Sequence, residues 1–189
     1  EPSDDVWQVS AVFYFNDRLR ADGAMVLDKL KSANLQPIML TGDPSPAAQA
    51  LADKLGIHAK IGLLPQDKVN EIKDLQLQGK VLMVGDGIND APVLAAADVS
   101  VAMAGAADLA QVSADGVLLG ETLSPIVEAI HLAKKTQIII RQNLRWAFFY
   151  NLAVLLPAAL GYVPPWLAAI GMSVSSLFVV LNAMRLKRG

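Results

Sequence analysis

The chain has 189 residues, 53% of them hydrophobic and 18% charged, with a formal net charge of −2 and no cysteine. That balance allows a sizeable core and argues against a nucleic-acid partner held through phosphate electrostatics. Without cysteine, these residues hold no disulfide, thiolate metal site or catalytic thiol.

The average conceals a division: nearly all the acids lie before Glu128, and the residues beyond it are apolar or basic. The opening EPSDDVWQVS has no basic stretch followed by an apolar one, so it does not resemble a signal peptide, and we read the chain as starting within a longer protein. QPIMLTGD reads as a buried strand ending in a polar turn. SPAAQALADKLGI comes next as a helix with Ala47, Ala48, Leu51 and Leu55 on one face and Gly56 as its stop. LPQDKVNEIKDLQLQG repeats the scheme, with Pro65 at the start, Val69, Ile72 and Leu75 facing inward, and Gly79 past the end. KVLMVGDG is a second strand, DAPVLAAA a short helix, DVSVAM a third strand and DGVLLG a fourth. Strands alternating with helices predict a parallel α/β sheet covered on both faces.

Beyond residue 123 the pattern changes. A helix from about Ser124 through Arg145 leads into two uncharged runs, Trp146 to Val163 and Trp166 to Met184. Each approaches the ~20 residues that cross a ~30 Å hydrocarbon layer, which predicts a membrane hairpin turning at Gly161–Pro165. Lys134, Lys135, Arg141 and Arg145 precede it, and Arg185, Lys187 and Arg188 come after it, so both ends belong on the cytoplasmic side. Trp146, Tyr162 and Trp166 sit where interfacial aromatics belong.

Ligands of open parallel sheets bind beyond the carboxyl ends of strands. Those ends carry Thr41-Gly42-Asp43 and Gly85-Asp86-Gly87-Ile88-Asn89-Asp90. Asp86 and Asp90, four apart across a glycine-rich turn, can converge on one hard cation, and Mg²⁺ suits carboxylates plus water and phosphate. A dinucleotide fingerprint would need a glycine where Asp90 stands. A helix cap would account for one acid, not for two acids and an amide. Thr41 offers a hydroxyl to a phosphate and Lys68 a positive charge; with Asp86 and Asp90 they form a set suited to phosphoryl transfer. His58 and His131 read as structural, and Met83 and Met103 as core residues beside the sheet.

TGD, then PQDK, then MVGDGINDAPVLAAADV resembles the phosphorylation domain of P-type ATPases, a haloacid-dehalogenase-like fold. The resemblance runs from Phe15-Asn16-Asp17-Arg18-Leu19-Arg20 to the C-terminus. It implies that Thr41, Gly42, Asp43 and Lys68 serve the aspartyl phosphate, that Asp86 and Asp90 hold Mg²⁺, and that Asn89 orients the site. IRQNLRWAFFYN and GMSVSSLFVVLNAMRLKR resemble the last two helices of copper(I)-exporting members, closest to the subgroup serving cytochrome oxidase assembly. Tyr150, Asn151, Met172 and Ser176 are then the implied ligands of transported Cu(I), a soft ion suited to a thioether. Taken without the family, Tyr150 and Met172 equally fit packing residues and Ser175 and Ser176 a close helix contact. Zinc-exporting relatives would carry an acid in the last helix, and none is present here. One departure is Met103-Ala104-Gly105-Ala106-Ala107-Asp108, where many copper pumps read Met-Gly-x-Gly-Thr-Asp.

The domains expected are 1–123, the C-terminal part of a cytoplasmic phosphorylation domain; 124–145, a linking helix; 146–184, a two-helix transmembrane hairpin; and 185–189, a basic tail. Val6 to Phe15 would be a strand returning from a nucleotide domain. The family's Asp-Lys-Thr-Gly-Thr nucleophile motif does not occur in these 189 residues. The resemblance therefore implies an inactive C-terminal piece that needs the N-terminal part of the same pump, which would bind ATP, and an exposed edge where the central strand belongs. The implied setting is a bacterial plasma membrane. A membrane-tethered phosphatase of the same soluble fold, a non-catalytic anchor and a pump for another cation are the alternatives.

Overall fold

The computed structural model describes residues 19–85, 90–103 and 113–188. Val6 to Phe15, Asp86, Asn89 and the loop from Ala104 to Asp108 therefore lie outside the described residues. The chain divides into two compact units, Glu1–Leu123 and Ser124–Gly189.

In the first unit, helix α1 (Gly23–Ser32) leads to strand β1 (Ile38–Leu40), helix α2 (Pro46–Leu55) and strand β2 (His58–Lys60). Helix α3 (Pro65–Gln76), strand β3 (Leu82–Gly85), helix α4 (Ala91–Ala96) and strands β4 (Val99–Ala102) and β5 (Gly116–Val117) complete it. Every strand pairing is parallel, with Ile38 opposite His58, Leu82 opposite Val99 and Val101 opposite Gly116. Parallel neighbours need a crossover, which α2 supplies for β1–β2 and α4 for β3–β4.

The expected single sheet is two ladders among the described residues, β1-β2 and β3-β4-β5. Ladders this narrow leave strand residues uncovered, so Leu82, Val99 and Val117 remain exposed where fully covered strands were expected. Strand β2 was not anticipated; its three residues, His58, Ala59 and Lys60, alternate exposed and half-buried, too short a run for a periodic signal.

Helix ends obey the local chemistry. Gly56, at φ 59°, terminates α2 in the left-handed region that a side chain disfavours. Pro65 opens α3, and the Asp67 carboxylate accepts the Leu64 N–H at 3.1 Å. The buried stripe of α2 centres on Ala48 and Ala52, a rotation from the expected face that leaves Ala47 exposed. In α3, Ile72 is buried and Val69 and Leu75 are half-buried, as their spacing predicts. Leu94 and Ala102 centre a core cluster against which Met83 packs, and Met103 is buried as well.

The second unit is a helical hairpin. Helix α5 (Ser124–Ala159) runs unbroken for 36 residues, merging the expected linking helix with the first apolar run. Pro157 lies inside it near its C-terminal end, where the missing N–H leaves the Ala153 carbonyl without its i→i−4 donor. Helix α6 (Pro165–Ala183) begins after Gly161, which sits at φ 79° in the connecting turn, and continues into a 3₁₀ segment, Met184–Arg188. Among the described residues one helix is long and apolar enough to cross a membrane, Pro165–Leu186, with mean hydropathy 1.9. Only 6% of that stretch is buried inside the chain, whereas the core helix of a soluble protein would be covered. Helix α5, whose 36 residues include Lys134, Lys135, Arg141 and Arg145, is not a second such helix.

Candidate functional site

Two of the sequence-derived residues meet directly. Lys68 lies in the first turns of α3 and Asp90 just before α4, 22 positions along the chain, and the ammonium donates to Asp90 Oδ1 at 2.7 Å. Both side chains are largely withdrawn from solvent, at 15% and 14% exposure. Asp90 occupies the N-cap position of α4, yet its side chain makes no capping hydrogen bond. Its carboxylate turns instead to Lys68, so helix capping does not account for it. The approach is close: a Cβ added at Gly85, the last residue of β3, would lie 3.1 Å from Asp90 Cβ. Glycine at the strand end lets the carboxylate fold back over it.

Thr41, Gly42 and Asp43 come directly after β1. The Asp43 N–H donates to Thr41 Oγ1 at 3.1 Å, so this oxygen accepts within the turn while its own O–H stays available to donate. Leu63 N–H donates to the Thr41 carbonyl and Gly62 N–H to the Asp43 carbonyl, tying the turn to the loop after β2. A Cβ at Gly42 would meet the Leu63 carbonyl at 3.3 Å, which favours glycine there. Both Asp43 oxygens are engaged by Ser45, one by its N–H and one by its hydroxyl, each at 2.8 Å. These bonds, the N–H first, hold the Asp43 carboxyl below its ordinary range. In this structure Asp43 fastens the start of α2.

Asp86 and Asn89 lie outside the described residues. Among the described residues no three of His, Cys, Asp or Glu converge on one point. The oxygen chemistry nonetheless fits the cation that the sequence implies. Asp90 is a hard carboxylate donor at a strand end, freed from capping and steadied by a positive neighbour, and Mg²⁺ takes one or two such carboxylates together with phosphate oxygens.

In the hairpin, Tyr150 packs against Gly171 so closely that a Cβ there would overlap the phenol oxygen. That oxygen is buried and makes no hydrogen bond among the described residues. Trp146 stacks near Tyr150, with ring centroids 6.4 Å apart, and its Nε1–H donates to Ser175 Oγ at 3.1 Å. Ser175 is therefore the buried hydroxyl and Ser176 an exposed one. Asn151 and Met172 are exposed too, so the hairpin brings Tyr150 to the α5–α6 seam and leaves the other three implied ligands on its outer surface. Sequence reasoning passed over Gly171 and the Asn143–Asn182 amide contact at 2.8 Å, named Trp146 only as an interfacial aromatic, and offered Ser175 as a close helix contact. The Gly171-x-x-x-Ser175 spacing, two small residues one turn apart, was the available signal for a close helix crossing.

A family model described as haloacid dehalogenase-like hydrolase matches residues 2–98, and a second of the same description matches 67–130. A copper-exporting P-type ATPase of Staphylococcus haemolyticus is 45% identical over 91% of this chain and 22% of its own length. A probable copper-exporting P-type ATPase V of Mycobacterium tuberculosis is 43% identical over 96% of this chain and 24% of its own. A solved zinc-transporting PIB-type ATPase in its E2.Pi state superposes with a TM-score of 0.87 at 39% identity, covering 90% of this chain and 28% of that one. The chain thus spans about a quarter of the length of the curated relatives it matches. With a family model over half its length, a carboxylate and a lysine paired at a strand end, and relatives along almost all the rest, the chain belongs to the haloacid dehalogenase-like hydrolases and is similar to part of heavy-metal P-type ATPases.

Proposed function

We propose that this chain is the C-terminal part of an ATP-driven pump that exports a heavy-metal cation, Cu(I) by preference, from a bacterial cytoplasm across the plasma membrane. The observation carrying this reading is the Lys68–Asp90 pair beside the end of β3, in a chain similar to P-type ATPases, whose resemblance implies phosphoryl transfer. In the reading, the phosphorylated aspartate and the ATP site lie outside these 189 residues, and the first unit supplies the other side of the phosphate pocket. The Thr41 hydroxyl donates to a phosphoryl oxygen. Lys68 neutralises phosphate charge and holds the Asp90 carboxylate in one orientation. Asp90, with Asp86 from the same loop, would hold Mg²⁺, which when bound stabilises negative charge on the transferring group. Asn89 orients that loop.

In the membrane the same reading assigns the metal to Tyr150, Asn151, Met172 and Ser176. The buried, unbonded Tyr150 oxygen supports it, since a polar atom without a partner in an apolar seam is costly unless a ligand or a further helix meets it. Met172 supplies the soft donor that Cu(I) favours, and α6 contains no acid. The apolar run ending at Ala159 crosses beside α6 as the second arm of a transmembrane hairpin.

Asp90→Asn in the intact parent is expected to lower phosphoenzyme turnover about 10²-fold or more. Unchanged turnover would remove the catalytic reading and leave a membrane anchor. Zinc is the second reading, raised by the structural likeness to a zinc-transporting ATPase. Comparing ATP hydrolysis stimulated by Cu(I), Ag(I) and Zn(II) decides between them, and a Zn(II) preference would overturn the ligand assignment.

A further inference from the structure

We infer that the groove between the Lys135–Gln142 stretch of α5 and the 3₁₀ segment that follows α6 seats the headgroup of an anionic phospholipid. It is a cavity of about 370 Å³ lined by Lys135, Ile138, Ile139, Gln142 and Arg185. That size falls within the roughly 300–1,000 Å³ of small-ligand sites. Two cations face it from different helices. Arg185 Nη1 donates to Asn182 Oδ1 at 3.1 Å, which orients the guanidinium and leaves most of its five N–H groups for a ligand. The Asn182 amide also donates to Gln142 Oε1 and Asn143 Oδ1, so the two walls are fastened to one another.

The lining separates lipid from other anions. Ile139 is 5% exposed and forms a fixed apolar floor, while Ile138, 57% exposed, offers a surface to acyl methylenes. A free phosphate has no use for either. Depth points the same way. Arg185 stands one residue inside the end of the apolar stretch Pro165–Leu186, whose 22 residues make about 33 Å of helix, close to one hydrocarbon thickness. This places the guanidinium at headgroup level, given the membrane placement proposed above. The surrounding charge is one-sided, with Glu128 the sole acid from residue 124 onward against seven lysines and arginines. Basic pockets between helices on the cytoplasmic side are suited to anionic headgroups.

The test uses the full 189-residue chain in detergent micelles, with native mass spectrometry reading retained phosphatidylglycerol against phosphatidylcholine. The wild type should retain the anionic lipid preferentially. Lys135→Gln and Arg185→Gln should each lower that preference about fivefold, with helical content checked by circular dichroism. Lys134→Gln, next in sequence but outside the groove, should leave it in place. Equal retention of both lipids by the wild type overturns the inference without reference to any variant. So does a loss in Lys134→Gln equal to that in the groove variants, which would mean diffuse charge, or displacement of the lipid by excess inorganic phosphate, which would mean a free-anion site. Failure of the membrane placement itself would register separately, as a chain released from membranes by alkaline carbonate.

Discussion

Asp90 stands at a helix start, yet its side chain serves Lys68. Lys68→Met should therefore destabilise the first unit by about 1–3 kcal/mol, because it strands a largely buried carboxylate. Urea titration of the full chain measures this, and no change would mean that the pair is not formed in solution. Two other acids contribute to the pH dependence of stability. The Lys80 ammonium first, then the Val81 N–H and Gln76, hold Asp98 below its ordinary value, and Ser45 does so for Asp43. A depressed folded pKa contributes stability that is complete above the unfolded value, near 3.9, and is lost as pH falls through the folded value. The urea midpoint should therefore decline between about pH 5 and pH 2, and less steeply in Asp98→Asn. Parallel profiles would show that Asp98 is not involved. At this scale the sequence named Lys68 and Asp90 from type and position, and the structure brings those two together. Which partner each would take was not legible. Asp43 looked like part of a phosphate turn, and the structure gives both its oxygens to Ser45.

Among the described residues all four expected strands are present, as β1, β3, β4 and β5, and one further strand and one further helix were missed. Helix α3 came through as predicted because Val69, Ile72 and Leu75 repeat at helical spacing. Helix α1 was passed over although Met25, Val26 and Leu30 carry the same signal, and β2 is too short to have a period, whereas β5 falls inside the expected strand DGVLLG. The two ladders could not have been foreseen from apolar runs, since hydrogen bonding between strands depends on partners remote in sequence. In the hairpin, the decisive element contact is Tyr150 over Gly171. Gly171→Ala should destabilise the α5–α6 pair by about 1–3 kcal/mol, since its Cβ would collide with the phenol oxygen. In a Tyr150→Phe background the same substitution should cost much less, because the clashing atom is gone. A double-mutant cycle read by thermal unfolding in detergent tests this, and additive effects would contradict the packing described.

For the molecule as a whole, the contrast between two units is the feature composition announced most clearly. Charged residues gather in the first, and the second leaves Phe148, Leu155, Trp166, Val174 and Leu177 uncovered on a hairpin. So large an apolar surface needs a bilayer or further helices around it. The full chain expressed in bacteria should stay with membranes through an alkaline carbonate wash, and release into the supernatant would contradict the spanning role of α6. What composition could not convey was continuity: an apolar run after a basic one reads as two segments, whereas α5 is a single 36-residue rod. At 1.5 Å per residue it is about 54 Å long. Such a rod behaves as a lever. With one end fixed, a tilt of about 10° sweeps the other through roughly 9 Å over that length, so a small torque applied near Ser124 would arrive at the far end, beyond Tyr150, as a displacement comparable to the width of a helix.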